Sequence, residues 1–278
     1  MAGRIIFYIF YGFVSGLAEF LPVSASAQSY LLSELAALDT RHPLTLLLIH
    51  AAALAVVLVQ CRHRIGHMQR ELYLHYQPQG RRKRQPDRMT VLDGKLAITV
   101  SLVAAAMLAF SNVVYEKGSS LLLLAVTLSI SGILVYLPQF RPSANRDSRH
   151  MSRLEAVGLG ICAGAGVVPG ISRMGTFLSV AQLRGCEKRY ILDIALLMSV
   201  PVLAMLVLLD LISLLVLGFA AVTGQMVLFS FLAGAAAFGG AWLSVAIVRY
   251  LCAGSGYGVL AYYSWGLAVF SFILYLIV

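Results

Sequence analysis

Apolar residues run along this chain in stretches too long and too uniform for the half-buried helices of a soluble protein. Six stretches approach or meet the roughly 17 to 25 mostly apolar residues that a bilayer-crossing helix needs. They are Pro43 to Gln60, Val91 to Phe110, Ser119 to Leu137, Tyr190 to about Leu211, Met226 to Ile247 and Tyr257 to Val278. Two further apolar stretches are interrupted, Ile5 to Leu38 by Pro22 and Leu154 to Leu183 by Pro169 and Gly170. Basic residues flank both ends of the second, with Arg153 before it and Arg184, Lys188 and Arg189 after it. A segment that begins and ends on one side enters and returns. Arms of about 15 residues, ~22 Å as helix, fall short of a ~30 Å hydrocarbon core. Both stretches are predicted as re-entrant helical hairpins.

Polar connections set the direction of each crossing. Arg62, Arg64, Arg70 and the run Arg81 to Arg84 follow the first span, and Arg141, Arg146, Arg149 and Arg153 follow the third. Both connections are cytoplasmic by the positive-inside rule. The intervening "SNVVYEKGSS" carries one acid and one base, as an outer loop would. Traced back from Cys61, the first hairpin opens outward. The order is therefore a hairpin and three spans, twice, with both termini outside. An odd number of spans starts the second copy on the opposite face, so residues 1–138 and 154–278 read as inverted repeats of a single membrane domain, 1–278. Interrupted helices at matching positions of two such halves point to a binding site at their interface near the midplane.

A competing reading takes Arg4, the apolar run and Ala25-Ser26-Ala27 as a cleavable signal. Cleavage after Ala27 would remove half of one repeat, which argues against it.

Composition agrees with an all-α integral membrane protein: 60% of the 278 residues are hydrophobic and 12% charged, against about 25% charged in soluble domains. The net charge of +9 sits between spans, where it marks topology and contacts to anionic lipid rather than nucleic acid. Cys61, Cys162, Cys186 and Cys252 have no paired or zinc-type spacing, and no HExxH pattern occurs, so neither a disulfide framework nor a metalloenzyme is supported.

The hairpin tips carry the chemistry. Proline breaks each arm, and the half-helix that follows starts with unpaired N–H groups whose dipole favours an anion. "VSASAQ" places hydroxyls at Ser24 and Ser26 after the first break; "GISRMG" places Ser172 and Arg173 after the second. An arginine at this depth is costly, and its planar fork suits phosphate. The bland alternative is an internal Glu19–Arg173 ion pair that only fastens the hairpins together. His50, midway along the first span, either reaches the tips or bonds a neighbouring helix. Asp193 and Asp210 read as structural groups near span ends, and Tyr8, Tyr11, Trp242, Tyr262, Tyr263 and Trp265 as interfacial belt or packing residues.

"SGLAEFLPVSASAQ" and "VVPGISRMGT" resemble the signature motifs of the bacterial undecaprenyl pyrophosphate phosphatase (bacitracin-resistance) family, close to EGxTEFLPVSSTGH and PGxSRSGxT. The resemblance implies removal of a phosphate from undecaprenyl pyrophosphate at the bacterial cytoplasmic membrane, in an outward-facing pocket, to recycle the carrier lipid. By position it implies catalytic roles for Glu19, Ser24 and Arg173, with Glu19 activating the nucleophile and Arg173 clamping phosphate. Ser24, Ser26, Gln28, Ser172 and Arg173 would bind the phosphates. The departures are Ser15 for glutamate, Ala25 for serine, Ser26 for threonine, Ala27 for glycine and Gln28 for histidine, with Met174 for serine and Phe177 near the usual threonine. His50 is the residue positioned to compensate.

Two functions stay open on this reading. One is a phosphatase with an altered catalytic set; the other is a transporter or flippase that keeps the anion site and has lost hydrolysis. The expected partners are a polyprenyl phosphate or pyrophosphate and the membrane, and a homodimer is compatible with both. No protein-only metal cage is visible; Mg²⁺ or Ca²⁺ would arrive with the pyrophosphate's own oxygens.

Overall fold

The computed structural model describes residues 2–36, 41–81, 84–111, 113–114, 120–141, 146–218, 222–254 and 256–277. Glu116 and Lys117 of the expected outer loop, Arg82 and Lys83 of the basic run, and the terminal residues lie outside the described residues. Ten α-helices are described: α1 (Ala2–Phe20), α2 (Ala25–Ala36), α3 (Pro43–Tyr76), α4 (Arg88–Leu108), α5 (Leu121–Tyr136), α6 (Arg153–Gly164), α7 (Arg173–Leu183), α8 (Lys188–Leu217), α9 (Gly224–Ala253) and α10 (Leu260–Ile277). No strand occurs among the described residues.

Seven of these helices are long and apolar enough to cross a membrane, one more than the sequence pattern suggests. The additional one is α1, whose 19 residues make ~28 Å of helix, because nothing breaks it between Ala2 and Pro22. By contrast α6 and α7 have 12 and 11 residues, ~18 and ~16 Å, too short to cross. The connection after the first span is also corrected. Rather than ending near Gln60, α3 continues for 34 residues and stops at Gln77, where Pro78 forces extended backbone. Arg62, Arg64 and Arg70 stand on this helical extension.

Helix directions follow from contacts. His50 of α3 meets Asp210 of α8, and Arg64 meets Asp193, so α3 and α8 are antiparallel. Leu48 packs on Gly234 and Gln60 on Arg249, which makes α9 parallel to α3. A Cβ on Gly12 would lie 2.0 Å from the Ala233 carbonyl oxygen and one on Gly16 would lie 2.1 Å from that of Ala237. This small-residue seam sets α1 parallel against α9 at backbone contact distance. Gly160 and Gly164 face Val103 and Met107 in the same sense, so α6 runs parallel to α4. The direction of α4 is that of α8, since Asp93 near the start of α4 accepts from the Tyr190 hydroxyl near the start of α8 at 2.9 Å. The two hairpins therefore enter the bundle from opposite ends.

Large apolar side chains such as Phe10, Leu102, Phe231 and Leu276 are exposed around the bundle. An apolar perimeter of this extent suits lipid rather than water. One end of the bundle, formed by the end of α3, the start of α8 and the end of α9, carries Arg64, Lys188, Arg189 and Arg249, and Arg84, Arg146 and Arg184 flank the same end.

Candidate functional site

Each tip is built by short-range rules. Pro22 ends α1, and Ser24 restarts the chain as α2, its Oγ accepting from the Ala27 amide at 3.3 Å. Ser172 does the same for α7, accepting from the Gly175 amide at 3.0 Å. Side-chain oxygens of this kind satisfy one of the unpaired donors at a helix start. Thr127 on α5 donates to the Pro169 carbonyl at 2.7 Å, and the Ser131 hydroxyl accepts from the Ser172 amide at 3.1 Å. These bonds pin the second tip to α5. Gly170 turns the chain with φ +95°, the left-handed region where a side chain is strained.

The pinned turn delivers Arg173 to the first hairpin. Its Nη2 donates to Glu19 Oε1, joining residues separated by 154 positions. Both side chains are largely enclosed, at 11% and 9% exposure. The guanidinium Nε is buried and has no hydrogen-bond partner among the described residues. The Ser15 hydroxyl is in the same condition.

Glu19 and Arg173 line a cavity of about 170 Å³ together with Ser15, Ser26, Arg41, His50 and Asp210. His50 and Asp210 form a second polar pair, Nδ1 to Oδ2 at 2.6 Å. Leu108 at the end of α4, Ser111 just past it and Arg41 before α3 place the cavity toward the end of the bundle away from the basic residues.

Of the residues singled out in the sequence, Glu19, Ser26, His50 and Arg173 meet at this cavity. Ser24, Gln28 and Ser172 are buried, at 2%, 6% and 1% exposure, and do not line it. The Ser24 hydroxyl instead lies 3.1 Å from that of Ser26. Asp193 pairs with Arg64 at a half-exposed position, as a span-end carboxylate should. Asp210 corrects the sequence reading: it is not a solvated end group but the partner of His50 inside the cavity. The signal for it was a carboxylate within an otherwise apolar run.

Among the described residues no group of three or more His, Cys, Asp or Glu side chains converges as metal ligands. Glu19 is already engaged by Arg173. These donors do not fit a resident divalent ion.

Comparison with known proteins places this geometry. A model of the family described as "Bacitracin resistance protein BacA" matches residues 8–270. Undecaprenyl-diphosphatase 1 of Shouchella clausii is 27% identical over 195 residues, 69% of each chain. Undecaprenyl-diphosphatase of Carboxydothermus hydrogenoformans is 26% identical over 200 residues, 72% of this chain and 70% of the relative. That of Campylobacter concisus is 28% identical over 191 residues, 68% and 70%. The family match takes in both hairpins and every helix that lines the cavity, and the chain belongs to the bacitracin resistance protein BacA family.

Proposed function

We propose that this protein dephosphorylates undecaprenyl pyrophosphate to undecaprenyl phosphate, returning the lipid carrier to use. The observation that carries the proposal is the meeting of the two hairpin tips at Arg173. Its guanidinium is presented to the cavity with Glu19 on one nitrogen and with Nε unpartnered among the described residues. A terminal phosphate offers the paired oxygens that a guanidinium fork binds best. Arg173 is the phosphate clamp, and Glu19 holds it in register. Ser26 and Ser15 supply hydroxyl donors at the cavity wall, while the caps Ser24 and Ser172 fix the helix starts on which the site stands. The prenyl tail leaves toward lipid.

The cavity lies away from the basic end of the bundle, so the positive-inside rule makes it open to the outer side of the cytoplasmic membrane. We also propose that residues 1–138 and 154–278 are inverted halves. The packing of α1 on α9 has its counterpart in α6 on α4, and α3 and α8 cross at the centre.

A second reading, translocation of a phosphorylated polyprenyl lipid without hydrolysis, is favoured by Ser15, Ala25 and Gln28, none of which is a carboxylate or an imidazole. Phosphate release from undecaprenyl pyrophosphate by the purified protein in detergent separates the two. The phosphatase reading expects turnover that Arg173→Ala abolishes and Glu19→Gln sharply reduces. Lipid binding without any release would refute it and leave translocation in vesicles to be measured.

A further inference from the structure

We propose that His50 is the proton acceptor and donor of the phosphatase reaction, and that Asp210 is its positioning residue. The proposal rests on the reading of the cavity as an undecaprenyl pyrophosphate phosphatase site.

The starting observation is the placement of a polar pair where a membrane bundle has little reason to keep one. His50 on α3 and Asp210 on α8 come from the central crossing of the fold, 160 positions apart. A pair that served only to join two helices would be satisfied in the dry seam between them. This one lines the same cavity as Glu19 and Arg173, and the side chains keep 18% and 13% exposure. Ionisable groups at such depth, facing a cavity, are the usual carriers of proton transfer in membrane proteins.

The geometry specifies the division of labour. With Nδ1 2.6 Å from the Asp210 carboxylate, the imidazole donates its Nδ1 proton there and Nε2 becomes the ring's acceptor. The carboxylate fixes ring orientation and tautomer and offsets the charge that appears when Nε2 takes a proton. The same logic governs nucleophile–base–orienter arrangements in general.

Elimination among the other titratable groups at the cavity leads to the same residue. Tyr11, Glu19, Arg41, His50, Arg173 and Asp210 line it. Glu19 already accepts from Arg173. Both arginines are permanent cations, and a tyrosine hydroxyl is a poor acceptor near neutrality. Asp210 is committed to His50. Gln28, at the tip, cannot titrate and does not line the cavity. His50 is the lining group whose ordinary titration range suits both halves of a proton shuttle.

A water oxygen forms a bond to the terminal phosphorus while His50 Nε2 removes one of its protons. The bond from that phosphorus to the bridging oxygen breaks, and its electron pair leaves with the bridging oxygen on undecaprenyl phosphate. The protonated imidazole, held by Asp210, then returns its proton to a product phosphate oxygen. Arg173 offsets charge on the transferred group throughout. Water is the only co-reactant.

The test is steady-state phosphate release from undecaprenyl pyrophosphate by the full chain in detergent, over a pH series, with binding of the same lipid measured in parallel. His50→Gln should lower kcat by about 10²- to 10⁴-fold with KM and lipid binding little changed, and its residual rate should lose the acidic limb of the pH profile. Asp210→Asn should lower kcat at least about tenfold, and Asp210→Glu should recover part of it. His50→Ala should regain activity with added imidazole, which a packing role would not produce; this variant also covers the case in which His50→Gln fails to fold. If the wild type turns over and Arg173→Ala abolishes activity, yet His50→Gln keeps kcat within about threefold, the inference falls and the phosphatase reading stands. A wild type that binds the lipid and releases no phosphate overturns both.

Discussion

Replacing Gly170 with alanine tests whether the second hairpin tip is a rigid platform for Arg173. The residue has φ +95°, and a Cβ there would stand 1.9 Å from Thr127 Oγ1, 2.8 Å from Thr127 Cβ and 3.2 Å from the Leu128 amide nitrogen. Thr127 cannot turn away freely, because its hydroxyl donates to the Pro169 carbonyl at 2.7 Å. The left-handed backbone costs a non-glycine residue about 1–2 kcal/mol, and overpacking costs about 1–3 kcal/mol more. A destabilisation on the order of 3 kcal/mol follows. Relief requires the tip to move away from α5, and Arg173 is three residues further on. A shift of about 1 Å in a reacting group can cost on the order of 10²-fold in rate. Thermal unfolding in detergent and phosphate release should therefore fall together in Gly170→Ala. Thr127→Ala removes the closest contact and should restore part of the stability in the double variant, but not the backbone term. A Gly170→Ala protein with wild-type Tm and wild-type kcat would refute the claim that this contact positions Arg173.

Arg173→Lys keeps the charge and loses the fork, so undecaprenyl pyrophosphate binding should weaken by at least about tenfold, read as a rise in Kd by fluorescence or calorimetry. Gly16→Val puts side-chain atoms where a Cβ would already be 2.1 Å from the Ala237 carbonyl oxygen. It should push α1 off α9 and lower Tm, with an overpacking cost of about 1–3 kcal/mol or more; an unchanged Tm would show that the seam is not tight. Arg64→Ala removes an ion pair that is 42% and 39% exposed, and should change stability by less than about 1 kcal/mol with no effect on phosphate release.

What the sequence disclosed and what it hid divide along physical lines. Apolar runs and their prolines report on backbone and lipid, so the two tips were legible from Pro22 and Pro169 alone. The helical continuation of α3 was not, because charged residues between spans read equally as a loop. Arginine, glutamate and leucine are good helix formers, and no proline appears between Gln60 and Pro78. Hydroxyls at the tips read as ligands in the sequence, and serine immediately before a helix is also a capping signal. Ser24 and Ser172 take the capping role, with exposures of 2% and 1%, while Ser26 reaches the cavity. The His50–Asp210 pair is a product of tertiary structure. Each residue alone is an isolated polar group in an apolar span; only the antiparallel crossing of α3 and α8 makes them one unit.

This division bears on how such a site can change its residues without losing its purpose. The proposed anion site depends on features fixed by backbone: two breaks, two capped half-helices, a glycine turn and an arginine held by a carboxylate 154 positions away. Moving any of them disturbs the rest, since the Ser172 amide, the Pro169 carbonyl and Gly170 all lean on α5. Proton transfer makes a weaker demand, because an imidazole need only reach the same cavity in the right tautomer. The long helices α3 and α8 present Leu46, Ile49 and His50, and Leu206, Leu209 and Asp210, to that cavity, and the polar side chain on each is partnered by the other. Ser15, Ala25 and Gln28 at the tips thus do not by themselves argue for a silent site. They mark the places from which titratable chemistry is missing, while His50, paired with Asp210, lines the same cavity as Glu19 and Arg173.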